Sequence, residues 1–133
     1  MSKMLVLLFV TILISCNSSI KLNTWKVYYL GGQLNMDGYG HNFKLPDSPK
    51  KRIHNAMIFN GKRDNEGNLN GGIGIWSYVE PGHGNMFQTD GVSNSLSEMF
   101  GPELSFADKM IESGEKIAII KYSFGGTALY PGA

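Results

Sequence analysis

The chain has 133 residues, which is enough for one domain. Hydrophobic residues make up 42% of it and charged residues 17%, the composition of an ordinary globular protein. The net charge is +1, and no basic cluster is larger than Lys50-Lys51-Arg52, so the charge distribution gives no support for a nucleic-acid partner.

The first residues have the pattern of a signal peptide. Lys3 supplies a short positive segment, and residues 4–14 are apolar except for Thr11, a run too short to span a bilayer. The stretch Leu13-Ile14-Ser15-Cys16 resembles a bacterial lipobox, in which the cysteine is lipidated and becomes the new N-terminus. We therefore expect a lipoprotein signal peptide in residues 1–15, a membrane anchor at Cys16, a tether in residues 16–24 and an extracytoplasmic location. The alternative is an ordinary secretory signal with a chance cysteine. Cys16 is the only cysteine, so no internal disulfide can form.

An apolar segment followed by two glycines comes next. Residues 25–30 are predicted to form a buried parallel strand. Gly31 and Gly32 predict a sharp bend after it, since glycine tolerates positive φ. Open α/β proteins bind their ligands at the carboxyl ends of parallel strands, so residues 33–35 lie where chemistry is expected.

The middle of the chain is rich in turns. We expect mostly loop with a short helical turn in residues 36–51, a short strand in 55–59, a turn-rich excursion in 60–74, a strand in 75–79, a turn at 81–84 and a surface loop in 86–98. Loops of this length in a compact domain are usually functional. Trp76, Tyr78 and His83 are therefore candidate binding residues. A sugar would suit them as a ligand, because aromatic rings stack on sugar faces. The alternatives are that Trp76 packs in the core and that His83 occupies a plain turn position.

A helix and a second apolar strand follow. Pro102 suits the first helical position, Glu103 complements the helix dipole, and Gly114 is placed to end a helix over residues 102–113. The apolar face of this helix consists of Leu104, Ala107, Met110 and Ile111. Residues 116–122 then indicate a buried strand. Strand, excursion, helix and strand make up the crossover unit of a parallel sheet, so the predicted fold class is α/β.

Three motifs occur in a particular order along the chain. The first is Gly32-Gln33-Leu34-Asn35-Met36, directly after the first strand. The other two are Phe100-Gly101-Pro102-Glu103-Leu104-Ser105-Phe106-Ala107 and Lys121-Tyr122-Ser123-Phe124-Gly125-Gly126-Thr127-Ala128-Leu129. In type and order they resemble the sialate O-acetylesterase-like carbohydrate esterases, a branch of the SGNH hydrolases. The resemblance covers residues 25–129 and implies a three-layer α/β/α sandwich around a parallel sheet.

The resemblance also implies a site. The family reads Gly-Gln-Ser-Asn-Met in the first motif, so its nucleophilic serine falls at position 34, where this chain has Leu34. The Leu34 amide, with Gly125 or Gly126, resembles the oxyanion hole, although the two glycines alternatively form only a tight strand exit. Gln33 and Asn35 are candidate contacts for the acetylated carbohydrate that the family implies as partner. No cofactor and no metal site are expected, because the three histidines lack Cys or carboxylate partners at ligand spacing.

Two later family motifs, Gln-Gly-Glu and Asp-x-x-His, do not occur in the sequence. We therefore expect residues 25–133 to correspond to the amino-terminal part of a longer esterase domain, with the edge of the strand in residues 117–122 unpaired and one face of the sheet uncovered. The leading hypothesis is an O-acetylesterase-type hydrolase of sugars or polysaccharides whose present copy is inactive. The alternatives are a surface lipoprotein that binds glycans without cleaving them, and a nonfunctional gene fragment.

Overall fold

A four-stranded sheet is the centre of the computed structural model, which describes residues 24–47, 51–64 and 71–124. The strands are β1 (Trp25–Gly32), β3 (Ile53–Asn60), β4 (Trp76–Val79) and β8 (Lys116–Ser123), in the order β1-β8-β3-β4. β8 runs parallel to β1 and to β3, whereas β4 is antiparallel to β3. The sheet is compatible with the predicted α/β class: β1, β8 and β3 are parallel, and the antiparallel β4 makes the sheet mixed.

Short ladders connect the loops beside the main sheet. β2 (Gly40–His41) pairs antiparallel with β7 (Met99–Phe100), and β5 (Gln88–Thr89) pairs antiparallel with β6 (Asn94–Ser95). A 3-10 turn, Asn42–Lys44, follows β2. The β5–β6 hairpin closes on Asp90, whose carboxylate accepts the amides of Val92 and Ser93 at 2.8 and 2.7 Å. The predicted surface loop in residues 86–98 therefore contains a hairpin that the sequence did not indicate.

One long helix covers one face of the main sheet. α1 (Leu34–Asp37) is a single turn after β1, and α2 (Pro102–Ile111) precedes β8. Leu104 and Ala107 of α2 are fully buried, and Gly114 has φ +76°, which confirms the predicted face and the predicted end of this helix. The core between α2 and the sheet contains Leu45, Ile53, Ala56, Ile58, Val79, Leu104, Ala107, Ile117 and Ile119. Apart from α1 and α2, the described residues contain no α-helix, so the three-layer sandwich remains a prediction.

β8 is the central strand rather than an exposed edge. Its apolar run is hydrogen-bonded on both sides, to β1 and to β3, which suits a strand that alternates little in polarity. Within the described residues, β1 is an edge strand, as is β4, and the exposed side chains of Val27 and Tyr29 show that β1 is not buried on both faces. The expectation of an unpaired edge on the strand of residues 117–122 is therefore wrong, and so is the expectation of a fully buried first strand.

The bend predicted at Gly31 and Gly32 is also wrong. Both glycines continue β1, paired with Tyr122 and Ser123, and neither has a positive φ. A Cβ on Gly32 would lie 3.0 Å from the Cβ of Met36, so this glycine provides room for α1 to fold back beside the strand. The chain turns one residue later, at Gln33.

Several predictions concern residues outside the described ranges. These are the signal peptide, Cys16, most of the tether, and Gly125 and Gly126. Within the described ranges, no helix has the length and apolar character needed to cross a membrane.

Candidate functional site

The turn after β1 lies at the carboxyl edge of the parallel strands, where β3 and β8 also end. The carbonyl of Gln33 accepts the amides of Met36 and Asp37 at 2.8 and 3.0 Å, which starts α1. Leu34 is the first helical residue, a position whose N–H has no acceptor within a helix. Its alkyl side chain is 52% exposed. The turn therefore presents a backbone donor and an inert side chain at the position where the resemblance expects a nucleophile.

A buried ammonium group supports this turn from below. Lys121 of β8 is fully buried, and its Nζ donates to the Glu103 carboxylate at 2.7 Å, the His83 carbonyl at 2.7 Å and the Asp37 carbonyl at 3.2 Å. All three protons of the ammonium group thus have acceptors. Burial lowers the pKa of Lys121 below its ordinary value, while the charge of Glu103 opposes the shift. The lysine ties the end of α1 to the start of α2 and to the loop after β4.

A second charged pair lies at the same edge. The Asp37 carboxylate accepts from the hydroxyl of Ser123 and pairs with the guanidinium of Arg63 at 3.0 Å. Together with Glu103 and Lys121 this makes two acids and two bases, so the charges of the network balance. Pairing opposite charges lowers the cost of burying them, although Nη2 of Arg63 has no hydrogen-bond partner among the described residues. The network fixes the backbone of α1 and leaves its outer residues free to contact a ligand.

Glycines allow the backbone segments above Lys121 to touch. A Cβ on Gly38, where φ is +84°, would lie 2.1 Å from the Cα of Gly101. Gly101 in turn donates its amide to Glu103 at 2.8 Å. The carbonyl of Gly38 accepts the amide of Asn85 at 2.8 Å. The end of α1, the start of α2 and the loop before β5 therefore meet backbone to backbone.

His83 lies beneath the site rather than on its surface. Its side chain is fully buried, with its ring 4.9 Å from that of Phe87. Neither ring nitrogen has a partner of hydrogen-bonding geometry among the described residues, although the Tyr78 carbonyl lies near enough to oppose the pKa shift slightly. Burial, reinforced by the positive charge of Lys121, lowers the pKa of His83 from 6.5 to about 4. Its carbonyl, by contrast, accepts from both Lys121 and Asn60.

This burial predicts an acid-sensitive fold. Between pH 6.5 and about 4 the unfolded His83 binds a proton that the folded one does not, so the free energy of unfolding falls as the pH is lowered through this window. The full shift corresponds to about 3 kcal/mol. Urea unfolding at a series of pH values measures it. His83→Leu should flatten the slope, whereas His54→Gln, at an exposed position of β3, should keep it. An unchanged slope in His83→Leu would contradict the assignment.

The other predicted site residues are partly brought together. Gln33 and Asn35 are exposed on α1 and its cap. Trp76 is 44% exposed and lies at the same edge of the sheet, since β4 begins where β3 ends. However, β4 lies three strand spacings from β1, roughly 14 Å, so Trp76 is distant from the turn after β1. The Phe124 amide donates to the Gly32 carbonyl at 3.2 Å, so the described chain reaches the turn just before Gly125.

Sequence reasoning missed the network under the turn. The sequence placed Lys121 in a buried strand but indicated no ion-pair partner for it. It indicated for Glu103 only a favourable interaction with the helix dipole. One signal was available: Ile117, Ile119 and Lys121 alternate along β8, which places the lysine on the buried face. A buried lysine requires an acid nearby. That acid is Glu103, which belongs to the second of the three motifs, whereas Lys121 belongs to the third.

No group of three His, Cys, Asp or Glu side chains suited to a metal ion occurs in the part of the chain that the structure describes.

The comparison with family models gives one finding. The protein-family model described as carbohydrate esterase, sialic acid-specific acetylesterase, matches residues 24–131. No curated protein and no solved structure matches the chain significantly. The match spans well over half of the chain and includes β1, α1, α2 and β8, the elements that build the site. The chain therefore belongs to the sialic acid-specific acetylesterase family of carbohydrate esterases.

Proposed function

We propose that this chain recognises an acetylated carbohydrate at the turn after β1 and does not hydrolyse it. The observation that carries the proposal is Leu34, the first residue of α1, at the position where the resemblance implies the family's nucleophile. By family the chain is of the acetylesterase type. Hydrolysis by that route needs a hydroxyl at this position, and an alkyl group can neither attack an ester nor be activated by a base.

Recognition needs less than hydrolysis does. The amide of Leu34 has no acceptor within α1 and remains available to a carbonyl oxygen, because this role does not depend on the side chain. Gln33 and Asn35 add exposed amide side chains on either side of it. Polar groups of this kind, held on a fixed turn, suit the acetyl and hydroxyl groups of a sugar, and the buried charges below keep the turn in place.

The absence of hydrolysis is tested directly. The purified chain should not release p-nitrophenol from p-nitrophenyl acetate above a buffer blank, nor react with a fluorophosphonate probe. Leu34→Ser should restore no more than trace activity, because a serine without a histidine base remains a weak nucleophile at neutral pH. Stoichiometric labelling of the unmodified chain by the probe would overturn the proposal.

Recognition is tested separately by titration with an O-acetylated sialic acid and with its deacetylated form, followed by NMR chemical shifts. Only the acetylated form should shift the amide signals of Gln33, Leu34 and Asn35. Gln33→Ala and Asn35→Ala should each weaken binding, while Val92→Ala, at the exposed tip of the β5–β6 hairpin, should not. Equal shifts with both sugars, or shifts confined to other residues, would contradict recognition at this turn.

A further inference from the structure

The turn over residues 84–87 has an unusual backbone. The Phe87 amide donates to the Gly84 carbonyl at 3.2 Å, and Met86, at the third position of the turn, has a φ of +66°. Glycine or asparagine normally occupies such a position, because a larger side chain is strained there. The side chain of Met86 is 71% exposed, so packing in the core does not offset the strain. Strained residues cluster where proteins hold their ligands, which makes Met86 a candidate ligand contact.

Hydrogen bonds fix this turn against the end of α1. The Asn85 amide donates to the Gly38 carbonyl at 2.8 Å, and the Asn85 side-chain Nδ2 donates to the Tyr39 hydroxyl at 3.1 Å. The side chain of Tyr39 is itself 51% exposed. Asn85 therefore joins Tyr39 and Met86 into one surface beside α1, and we call these two side chains the outer wall.

The outer wall lies at the carboxyl edge of the parallel strands. α1 follows β1 at that edge. The loop that leads to Asn85 passes the ends of β3 and β8, where the His83 carbonyl accepts from Asn60 and Lys121. The helical layers of an α/β sandwich cover the faces of the sheet, whereas ligands bind at this edge. The exposure of Tyr39 and Met86 is therefore what a binding edge requires.

The outer wall is one helical turn away from the Leu34 amide. The Gly38 amide donates to the Leu34 carbonyl at 3.3 Å, so these two residues mark the two ends of α1. At 1.5 Å per residue, the ends are roughly 6 Å apart. That separation is greater than the length of an acetyl group. A ligand whose acetyl carbonyl is held by the Leu34 amide must therefore extend beyond this group to reach Tyr39 or Met86.

We propose that the outer wall binds the sugar residue next to the acetylated one, so that the ligand is an oligosaccharide rather than a free monosaccharide. The inference rests on the function proposed above. The exposed ring of Tyr39 offers a flat apolar surface to a sugar face, and its hydroxyl offers a hydrogen bond. The flexible thioether of Met86 adapts to an irregular surface such as the edge of a sugar ring. Neither side chain is charged, so the neighbouring sugar is a neutral one.

NMR titration of the full 133-residue chain with labelled methionine methyl groups tests the proposal. The two probes are a free O-acetylated sialic acid and an O-acetylated sialyllactose that carries the same sugar at its end. The trisaccharide should bind at least about fivefold more tightly and shift the methyl signal of Met86. The free sugar should shift the amide signals of Gln33, Leu34 and Asn35 only. The methyl signal of Met110, on α2, should respond to neither probe.

Two variants separate binding by the outer wall from its contribution to folding. Met86→Gly should weaken trisaccharide binding to the level of the free sugar without lowering the urea midpoint, because glycine tolerates the positive φ. Tyr39→Phe should retain most of the trisaccharide preference, since it keeps the ring. Val92→Ala is the control, because Val92 is 84% exposed on the β5–β6 hairpin and its change should leave the preference unaltered.

The outcomes distinguish this inference from the proposed function. Equal affinity for the two probes, with amide shifts in residues 33–35, would overturn the inference and leave the proposed function standing. A shift of the Met86 methyl signal by the free sugar would also overturn it, since the outer wall would then contact the acetylated sugar itself. Absence of binding by both probes would overturn the inference and the proposed function together.

Discussion

Lys121→Met is expected to destabilise the chain by about 3–5 kcal/mol, because it leaves the Glu103 carboxylate buried without its counter-charge. Among the described residues, the Gly101 amide would then be the remaining hydrogen-bond donor to the Glu103 carboxylate. The loss is a large part of the ~5–15 kcal/mol that stabilises an ordinary domain. Urea unfolding at pH 7, followed by circular dichroism, measures it.

A double variant and a control make the result specific. Lys121→Met combined with Glu103→Leu should lose less stability than the two single changes added together, since removing both charges also removes the penalty of burying one alone. Lys109→Met removes the lysine of an exposed pair with Glu112 in α2 and should cause no measurable change. If Lys121→Met were as mild as Lys109→Met, the buried network would not be what holds the turn after β1.

The elements with strong periodicity could be predicted from the sequence. β8 and α2 were predicted to within a few residues, because a short run rich in isoleucine favours a strand and an apolar face between Pro102 and Gly114 favours a helix. The antiparallel pairing of β4 could not be predicted, since a four-residue strand has no pattern that specifies its neighbour. Gly31 and Gly32 misled the interpretation because glycine marks both bends and close packing, and here its function is close packing.

The candidate site was predictable only in part, for a different reason. The apolar run of residues 25–30 predicted β1, and residues 33–35 lie at its end because strand and turn are adjacent in sequence. The partners of Asp37 and Lys121, by contrast, lie far along the chain: Asp37 accepts from Ser123, and Lys121 donates to the carbonyl of His83. Contacts between residues so far apart in sequence depend on the order of the strands in the sheet. No local sequence pattern specifies that order. The burial of His83, for which the sequence left a sugar contact and a plain turn position open, depends on the same distant contacts.

The two faces of β8 differ in burial. On the α2 side, β8 presents Ile117, Ile119 and Lys121, all buried and all with partners. On the other side it presents Ile120 and Tyr122, both exposed. A change on the first face should therefore lower the free energy of unfolding much more than a change on the second. Tyr122→Lys should leave the urea midpoint of a dilute sample within the error of measurement.

Gly38→Ala is expected to destabilise the chain by about 3–5 kcal/mol, through overpacking and through a strained backbone together. Its φ of +84° disfavours any side chain, and the added Cβ would lie 2.1 Å from the Cα of Gly101 and 2.5 Å from its nitrogen. Backbone atoms at the start of α2 cannot give way as a flexible side chain would. The matched control is Gly114→Ala, where φ is +76° but nothing lies within 4 Å of the new Cβ. That change should cost only about 1 kcal/mol, the strain alone. Equal losses in the two variants would show that strain, rather than the contact of Gly38 with Gly101, accounts for the effect. A larger loss in Gly38→Ala would instead identify that contact as what holds α1, and with it Gln33, Leu34 and Asn35, against the start of α2.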